Sequence, residues 1–128
     1  MKLVTRMILI AATGLLATVA HAETHTLQLW TCKLNSGKTL AEVQAVDAKW
    51  VKFINAKVKG GGIHSAVVTP VTGTDNLDQF MFLDTYPSVE SWAAQQTVMA
   101  TPEGVALLAE FDAVTKCTTG NLYSSNEN

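Results

Sequence analysis

The sequence predicts an α+β domain of ferredoxin-like βαββαβ topology, in which helices cover one face of a four-stranded antiparallel sheet. Stretches with strand and helix periodicity follow each other in the order strand, helix, strand, strand, helix, strand. Right-handed crossovers make the two strands of each strand–helix–strand unit parallel. The two cysteines then fall at strand ends that this topology places side by side.

The first strand and the first helix have clear boundaries. Thr24–Leu34 alternates, with Leu27 and Leu29 on one side and Trp30 and Cys32 on the other. Thr39–Glu42 has the form of a capping box and opens a helix with apolar residues three and four apart. The glycine run in Lys59–Gly62 ends this helix.

The second half of the chain repeats the pattern. We predict strands over Ile63–Gly73 and Leu77–Tyr86, and Pro70 indicates that the earlier one lies at a sheet edge or contains a bulge. Ser88 caps a second helix, which Pro102 restarts. Its expected apolar face has these members: Trp92, Gln96, Met99, Val105, Leu108, Phe111 and Val114. A last strand begins at Cys117.

The N-terminus has the layout of a secretory signal peptide. Lys2 and Arg6 precede a short apolar run, and Ala20 and Ala22 follow as small residues two apart. We expect cleavage after Ala22, a single domain over residues 23–128, and a periplasmic or secreted protein without membrane attachment. A retained membrane anchor is the alternative.

Net charge argues against nucleic acid as a partner. The signal peptide contains two of the nine basic residues and none of the eleven acidic ones, so the mature domain carries a net charge of −4. A phosphate-binding surface requires the opposite sign.

Cys32 and Cys117 are predicted to form a disulfide, because export places them in an oxidising compartment. A free buried thiol or a reactive thiol is the alternative. Neither cysteine has a CxxC neighbour, and His25 and His64 do not supply the usual paired spacing of a zinc site. We therefore expect no metal site, although His25 near the mature N-terminus offers a geometry that captures Cu(II).

Both faces of the predicted sheet are apolar. Met81 and Leu83 share one side of the third strand, and Phe80 and Phe82 share the other. A solvated face alternates with polar residues, so we expect a second copy of the chain to cover it. The resulting homodimer would enclose a barrel able to hold an apolar small molecule. The alternative is a monomer with one exposed patch.

The stretch "FLDTYPSVESWAAQQTVMATPEG" (Phe82–Gly104) resembles the third strand and second helix of the dimeric α/β-barrel superfamily, and is most similar to antibiotic-biosynthesis-monooxygenase-like domains. This resemblance implies a dimeric barrel and, in some members, monooxygenase activity. Gln95 and Gln96 occupy positions where that family often carries a histidine. A signal peptide and a disulfide are also untypical of the family.

The candidate ligand-binding residues are Trp30, His64, Phe80, Phe82 and Asp84. Trp30 is the tryptophan that helical spacing does not assign to the core, and His64 is a potential base or haem ligand, or a surface histidine. Asp84 would lie at the barrel mouth, where desolvation raises the pKa of a carboxyl group; otherwise it and Asp78 lie in solvent at the strand ends.

Three functions remain open at this point. The first is binding of an apolar small molecule in a homodimeric barrel, without a cofactor. The second is a cofactor-free monooxygenase-like or haem-handling enzyme that uses His64 or Asp84 near Trp30. The third is a structural or interaction domain without catalysis. The residues leave open whether the protein is an enzyme, and catalytic residues cannot be assigned from them.

Overall fold

The computed structural model describes residues 24–73 and 77–126 and contains the predicted α+β fold. The elements are β1 (Thr24–Leu34), α1 (Leu40–Lys57), β2 (His64–Val68), β3 (Gln79–Tyr86), α2 (Val89–Met99), α3 (Pro102–Val114) and β4 (Thr115–Asn126). The sheet order is β2-β3-β1-β4, and each neighbouring pair is antiparallel. This is the ferredoxin-like arrangement. The predicted signal peptide, Met1–Ala22, lies outside the described residues.

Some element boundaries differ from the predictions. β2 ends at Val68, so Pro70 follows an edge strand instead of lying within it. β3 begins at Gln79, two residues later than predicted, and β4 begins at Thr115, two residues earlier than Cys117. Edge strands and strand ends have fewer hydrogen-bonded neighbours, so side-chain alternation alone places their limits poorly.

The predicted disulfide is present. Cys32 on β1 lies opposite Cys117 on β4, and their sulfur atoms are bonded across a sequence separation of 85 residues. The ladder between these strands shifts register between Thr31 and Cys32. The disulfide therefore joins the strand that opens the described domain to the strand that closes it.

Local sequence explains how α1 begins and ends. The Glu42 carboxylate accepts a hydrogen bond from the Thr39 backbone nitrogen, while the Thr39 hydroxyl accepts one from the Glu42 backbone nitrogen. This is the predicted capping box. After the helix, Gly60, Gly61 and Gly62 all have positive φ, a conformation that side chains with a Cβ avoid.

α2 and α3 meet at a tight corner. The Thr101 hydroxyl accepts a hydrogen bond from the backbone nitrogen of Gly104, and Pro102 occupies the first turn of α3. A Cβ on Gly104 would lie 2.5 Å from the Met99 Cα. Glycine at this position therefore allows the start of α3 to pack against the end of α2.

This corner changes the predicted helix faces. In α2 the buried residues are Gln95 and Met99, while Trp92 is half-buried and Gln96 is exposed. In α3 the buried positions include Leu107 and Val114, whereas Val105 is 54% exposed and Leu108 is 46% exposed. Met99 and Val114 are therefore buried as predicted, whereas the predicted face was wrong at Gln96, Val105 and Leu108. The reason is that the helix restarts at Thr101, so the phase of α2 does not continue into α3.

The two faces of the sheet differ in their surroundings. The inner face packs against the helices and carries Thr26, Gln28, Trp30, Cys32, Phe80, Phe82, Asp84 and Tyr86 from the two central strands. The outer face carries Leu27, Leu29, Thr31, Met81, Leu83 and Thr85 from the same strands. No helix within residues 24–73 and 77–126 is both long and apolar enough to cross a membrane.

Candidate functional site

A cavity of about 420 Å³ lies between the inner face of the sheet and the helices, and we call it the inner cavity. It is partly open to solvent. Its lining residues come from every element except β2: Gln28, Trp30, Asp47, Trp50, Phe82, Asp84, Tyr86, Gln95, Gln96, Met99, Leu108, Phe111, Asp112, Thr115 and Cys117. Its size falls within the range of small-molecule sites in proteins.

Aromatic side chains form much of its wall. Trp30 comes from β1, Trp50 from α1, Phe82 from β3 and Phe111 from α3. The rings of Phe82 and Phe111 meet edge to face, with centroids 5.5 Å apart. With Tyr86, which also comes from β3, five aromatic rings from four elements line the cavity.

Gly120 on β4 makes room for the Trp30 ring. The two residues are paired across the β1–β4 ladder. A Cβ on Gly120 would lie 2.4 Å from Cζ3 of the indole, closer than such atoms approach. The indole therefore packs over the backbone of β4, and a glycine in this strand has a specific structural purpose.

Two buried carboxyl groups line the inner cavity. Asp84 from β3 is 6% exposed and Asp47 from α1 is 8% exposed. Burial is the main cause that raises the pKa of both side chains, and it raises that of Asp84 to about 7. The negative charge of Asp47 raises the pKa of Asp84 further, while polar interactions with Ser65 and Trp30 lower it. Asp84 therefore changes its charge near neutral pH.

The hydroxyl of Ser65 on β2 is close enough to interact with both carboxyl groups and lowers the pKa of each. Its Oγ atom is buried and has no hydrogen-bond partner of ordinary geometry among the described residues. Buried hydroxyls normally have such a partner. Ser65 therefore lies within reach of both carboxyl groups and has unused hydrogen-bonding capacity.

A second polar group is centred on Gln28. Its Oε1 accepts a hydrogen bond of 3.1 Å from the Trp92 indole nitrogen and a longer one, 3.5 Å, from the Tyr86 hydroxyl. Burial, with a smaller contribution from the charge of Asp84, raises the pKa of the Tyr86 phenol far above its usual range. Tyr86 thus remains a neutral hydrogen-bond donor.

The structure brings three of the five predicted ligand-binding residues together. Trp30, Phe82 and Asp84 all line the inner cavity. Phe80 lies on the same face but belongs to the core, with its ring centroid 5.4 Å from that of Phe82. His64 is exposed on the outer face, opposite Thr85. The aromatic face of β3 points toward the helices, so these three residues line a cavity within one chain and not a space between two sheets.

The other two candidate residues have different positions. Asp78 is exposed and forms an ion pair with Lys33 at 2.8 Å, and the hydrogen bond from Lys33 is the main cause that lowers its pKa. His25 is half-buried in β1, and the expected mature N-terminus, on which a copper site would depend, lies outside the described residues. In the described part of the chain, no group of three or more His, Cys, Asp or Glu side chains is arranged to hold a metal ion.

Several lining residues were not predicted from the sequence. Asp47 lies on the apolar stripe of α1, between Val46 and Trp50 among the buried residues. A charged residue on such a stripe is the signal that could have identified it. Gln28 and Gln95 have the same signal, since both are polar residues at buried positions.

Comparisons with known proteins show the fold. No protein-family model matches the sequence, and no curated protein matches it. Among solved structures, SnoaB, a cofactor-independent oxygenase from Streptomyces nogalater, superposes with a TM-score of 0.56 at 12% identity. The match covers 84% of this chain and 97% of that chain. This chain therefore has the same fold as SnoaB.

Two further structures agree. A NIPSNAP family protein of unknown function from Agrobacterium tumefaciens matches with a TM-score of 0.56 and 13% identity over 84% of this chain and 91% of that chain. A putative antibiotic biosynthesis monooxygenase from Caulobacter crescentus matches with a TM-score of 0.52 and 13% identity, over 84% and 93%. The predicted resemblance is confirmed at the level of fold, and identities this low show the fold alone.

Proposed function

We propose that the protein binds a small, largely apolar aromatic molecule in the inner cavity. The observation that carries this proposal is the combination of about 420 Å³ of space with five aromatic residues and several buried polar groups in its lining. Ligand sites in proteins combine an apolar lining with a few convergent polar groups in this way. A purely structural domain has no need of such a space.

The test is a titration of the mature protein with simple phenols, naphthols and indoles, followed by tryptophan fluorescence and calorimetry. Trp30 and Trp50 line the cavity, so a bound ligand should change their emission. Replacement Leu108→Trp puts a large ring at the cavity wall and should weaken binding at least about tenfold.

Val105→Trp is the matched control. Val105 lies on the same helix and is similarly exposed, but it does not line the cavity. The Val105→Trp variant should bind the same ligands with the affinity of the unaltered protein. Equal loss of affinity in both variants, or no binding of any compound by the unaltered protein, would contradict the proposal.

A second candidate function is cofactor-free oxidation of an electron-rich phenol. It is favoured by one observation, the pKa of about 7 for Asp84 beside the Trp30 ring. An ionised Asp84 can accept the phenol proton, and the resulting anion reacts with dioxygen. One oxygen atom would enter the ring, giving a quinone, and the other would leave as water. SnoaB, which shares the fold, is a cofactor-independent oxygenase.

Oxygen uptake with phenols and naphthols tests this second function. We expect Asp84→Asn to abolish uptake while Asp78→Asn, in the exposed ion pair with Lys33, leaves it unchanged. Equal oxygen uptake by both variants would show that Asp84 takes no part in the reaction. A haem-handling role through His64 gains no support, because His64 lies on the opposite side of the sheet from the inner cavity.

We also propose that a second copy of the chain covers the outer face. Leu27, Leu29 and Leu83 are half-buried there, while Met81 and Tyr123 remain more than one third exposed. Contiguous apolar surface of this kind is typical of an interface between copies. Native mass spectrometry of the mature protein should show a dimer, and a monomer at micromolar concentration would contradict it.

Export is part of the same proposal. The cleavage expected after Ala22 agrees with a disulfide between Cys32 and Cys117, since such bonds persist in oxidising compartments. The intact mass of the protein recovered from the periplasm or the medium should match that of a chain that begins at Glu23. A full-length chain that remains with the membranes would instead indicate a retained anchor.

A further inference from the structure

The lining of the inner cavity carries charge of a single sign. Asp47, Asp84 and Asp112 line it, and none of its lining residues within the described part of the chain is Lys, Arg or His. Asp112 lies on the exposed surface of α3, at the rim, whereas the other two carboxyl groups are buried. A cavity with this lining repels anions and favours a positive charge.

Nearby lysines do not compensate the two buried carboxyl groups. Lys49 lies close to Asp47 in the sequence, but its side chain is exposed and pairs with Glu110 at 2.6 Å. Lys57, in the last turn of the same helix, pairs with Glu103 at 2.9 Å. A buried carboxylate without a cationic partner is costly, so either a proton or a positively charged ligand must balance Asp84 and Asp47.

Polar groups other than the carboxyl groups also lie in or beside the cavity lining. Gln28 is 6% exposed and Gln95 is 7% exposed, and both line the cavity. Their oxygen atoms accept hydrogen bonds, from Trp92 and Gln96 among others. Among residues 24–73 and 77–126, the buried side-chain atom without a hydrogen-bond partner is Ser65 Oγ, which is close enough to interact with both Asp47 and Asp84. A buried hydroxyl oxygen of this kind can accept a hydrogen bond from a ligand donor such as an ammonium group.

We propose that the ligand of the inner cavity is a protonated aromatic amine whose ammonium group is bound by Asp84 and Asp47. Its ring lies among Trp30, Trp50 and Phe82, where aromatic faces also attract a cation. This inference rests on the proposed function and specifies the class of ligand.

Three probes of nearly equal size and shape isolate the charge. Tyramine is a cation, tyrosol is its neutral alcohol counterpart, and 4-hydroxyphenylacetate is the corresponding anion. Their affinities are measured by calorimetry at pH 8, where Asp84 is ionised in the absence of a ligand. We expect tyramine to bind at least about tenfold more tightly than tyrosol, and the anion to bind most weakly.

Asp84→Asn and Asp47→Asn keep the side-chain shape and remove one charge each. Each should lower the affinity for tyramine about tenfold or more and change the affinity for tyrosol less than about threefold. Asp78→Asn, outside the cavity, is the control and should bind all three probes as the unaltered protein does. Each variant removes a buried charge that has no cationic partner, so we expect both variants to fold. A cooperative thermal unfolding transition verifies that they are folded.

The outcomes separate the two proposals. If tyrosol binds as tightly as tyramine, or the anion binds most tightly, the proposed charge selectivity is overturned while binding in the cavity remains. If none of the three probes binds, and the phenols, naphthols and indoles also fail, both the proposed function and this inference are wrong. Equal loss of tyramine affinity in Asp78→Asn and Asp84→Asn would likewise overturn the assignment to the cavity.

Discussion

The two faces of the sheet are built in opposite ways. The inner face is buried, yet it carries polar residues such as Gln28, Ser65 and Asp84 beside the cavity. The outer face is only partly buried, yet its centre is made of Leu29, Leu83 and their apolar neighbours. In an ordinary single-layer sheet the polar side faces solvent and the apolar side faces the helices.

This unusual distribution of polar residues on the buried face and apolar residues on the partly exposed face indicates what each face does. Buried polar groups cost stability unless they are paired, so a cluster of them beside a cavity favours a function for the inner face. An apolar surface left partly open favours contact with another surface. We expect ligand chemistry on the inner face and association on the outer face. The following predictions test this division, from the largest expected effect to the smallest.

The disulfide is expected to have the largest effect on stability. Replacing Cys32 or Cys117 by serine removes the same link between β1 and β4. Both single variants and the double variant should lose comparable free energy of unfolding, about 2–5 kcal/mol. Urea unfolding measures this loss. Thiol counting on the unreduced, denatured protein should find none, and two free thiols per chain would contradict the bond.

Asp84 should make stability depend on pH. Its pKa is about 7 in the folded protein, against 3.8 ordinarily. Below about pH 4 the Asp84 carboxyl group is protonated in both the folded and the unfolded state, so its burial does not lower the free energy of unfolding. Between pH 4 and 7 the unfolded state loses its proton first, so the free energy of unfolding falls with rising pH. Above pH 7 the penalty is complete, at up to about 4 kcal/mol.

Asp84→Asn should remove this dependence. At pH 8 the variant should be more stable than the unaltered protein, and at pH 4 the two should be similar. Urea unfolding at both pH values measures the difference, with Asp78→Asn as the exposed control. A variant that is less stable at pH 8 would show that the Asp84 carboxylate is favourably paired in the folded protein.

Gly120 should matter because of Trp30. Replacement Gly120→Ala forces the indole to move, since the added carbon would lie 2.4 Å from the ring. We expect a loss of about 1–3 kcal/mol in the free energy of unfolding, and a changed tryptophan emission spectrum. Ser124→Ala, at an exposed position of β4 that pairs with Thr26 and not with Trp30, is the control and should change neither quantity measurably.

A charged residue on the outer face should prevent association of two copies but should hardly affect folding of the chain. Leu29→Lys should convert the dimer to a monomer while changing the free energy of unfolding of the monomer by less than about 1 kcal/mol. Leu122→Lys places the same charge on β4 with its side chain toward the other face, and should leave the dimer intact. A dimer in both variants would show that association uses another surface.

Sequence reasoning predicted the topology because periodicity and crossover handedness are properties of the chain itself. The antiparallel neighbours β1 and β4 followed from that topology, and the bond between Cys32 and Cys117, predicted independently from export, joins these two strands. Alternation also placed Phe82 and Asp84 on one side of β3, as the structure confirms.

The location of the site did not follow, because alternation shows which residues share a face and not which face the helices cover. Both sides of β3 are apolar, so Phe82 and Leu83 were equally suitable for the core. Asp47 was missed for a related reason, since only the apolar members of the α1 stripe were counted. Its burial depends on the meeting of α1 with β2 and β3, which no local pattern contains.

The most direct test of the inner-face site is the titration of Asp84, followed through its carboxyl carbon by carbon-13 NMR in the ligand-free protein. The spectrum of Asp84→Asn assigns the signal. Burial of this carboxyl group beside Asp47 predicts a midpoint near pH 7. A midpoint at or below about pH 4, as for a solvated aspartate, would contradict the account of the inner cavity as a desolvated acidic site.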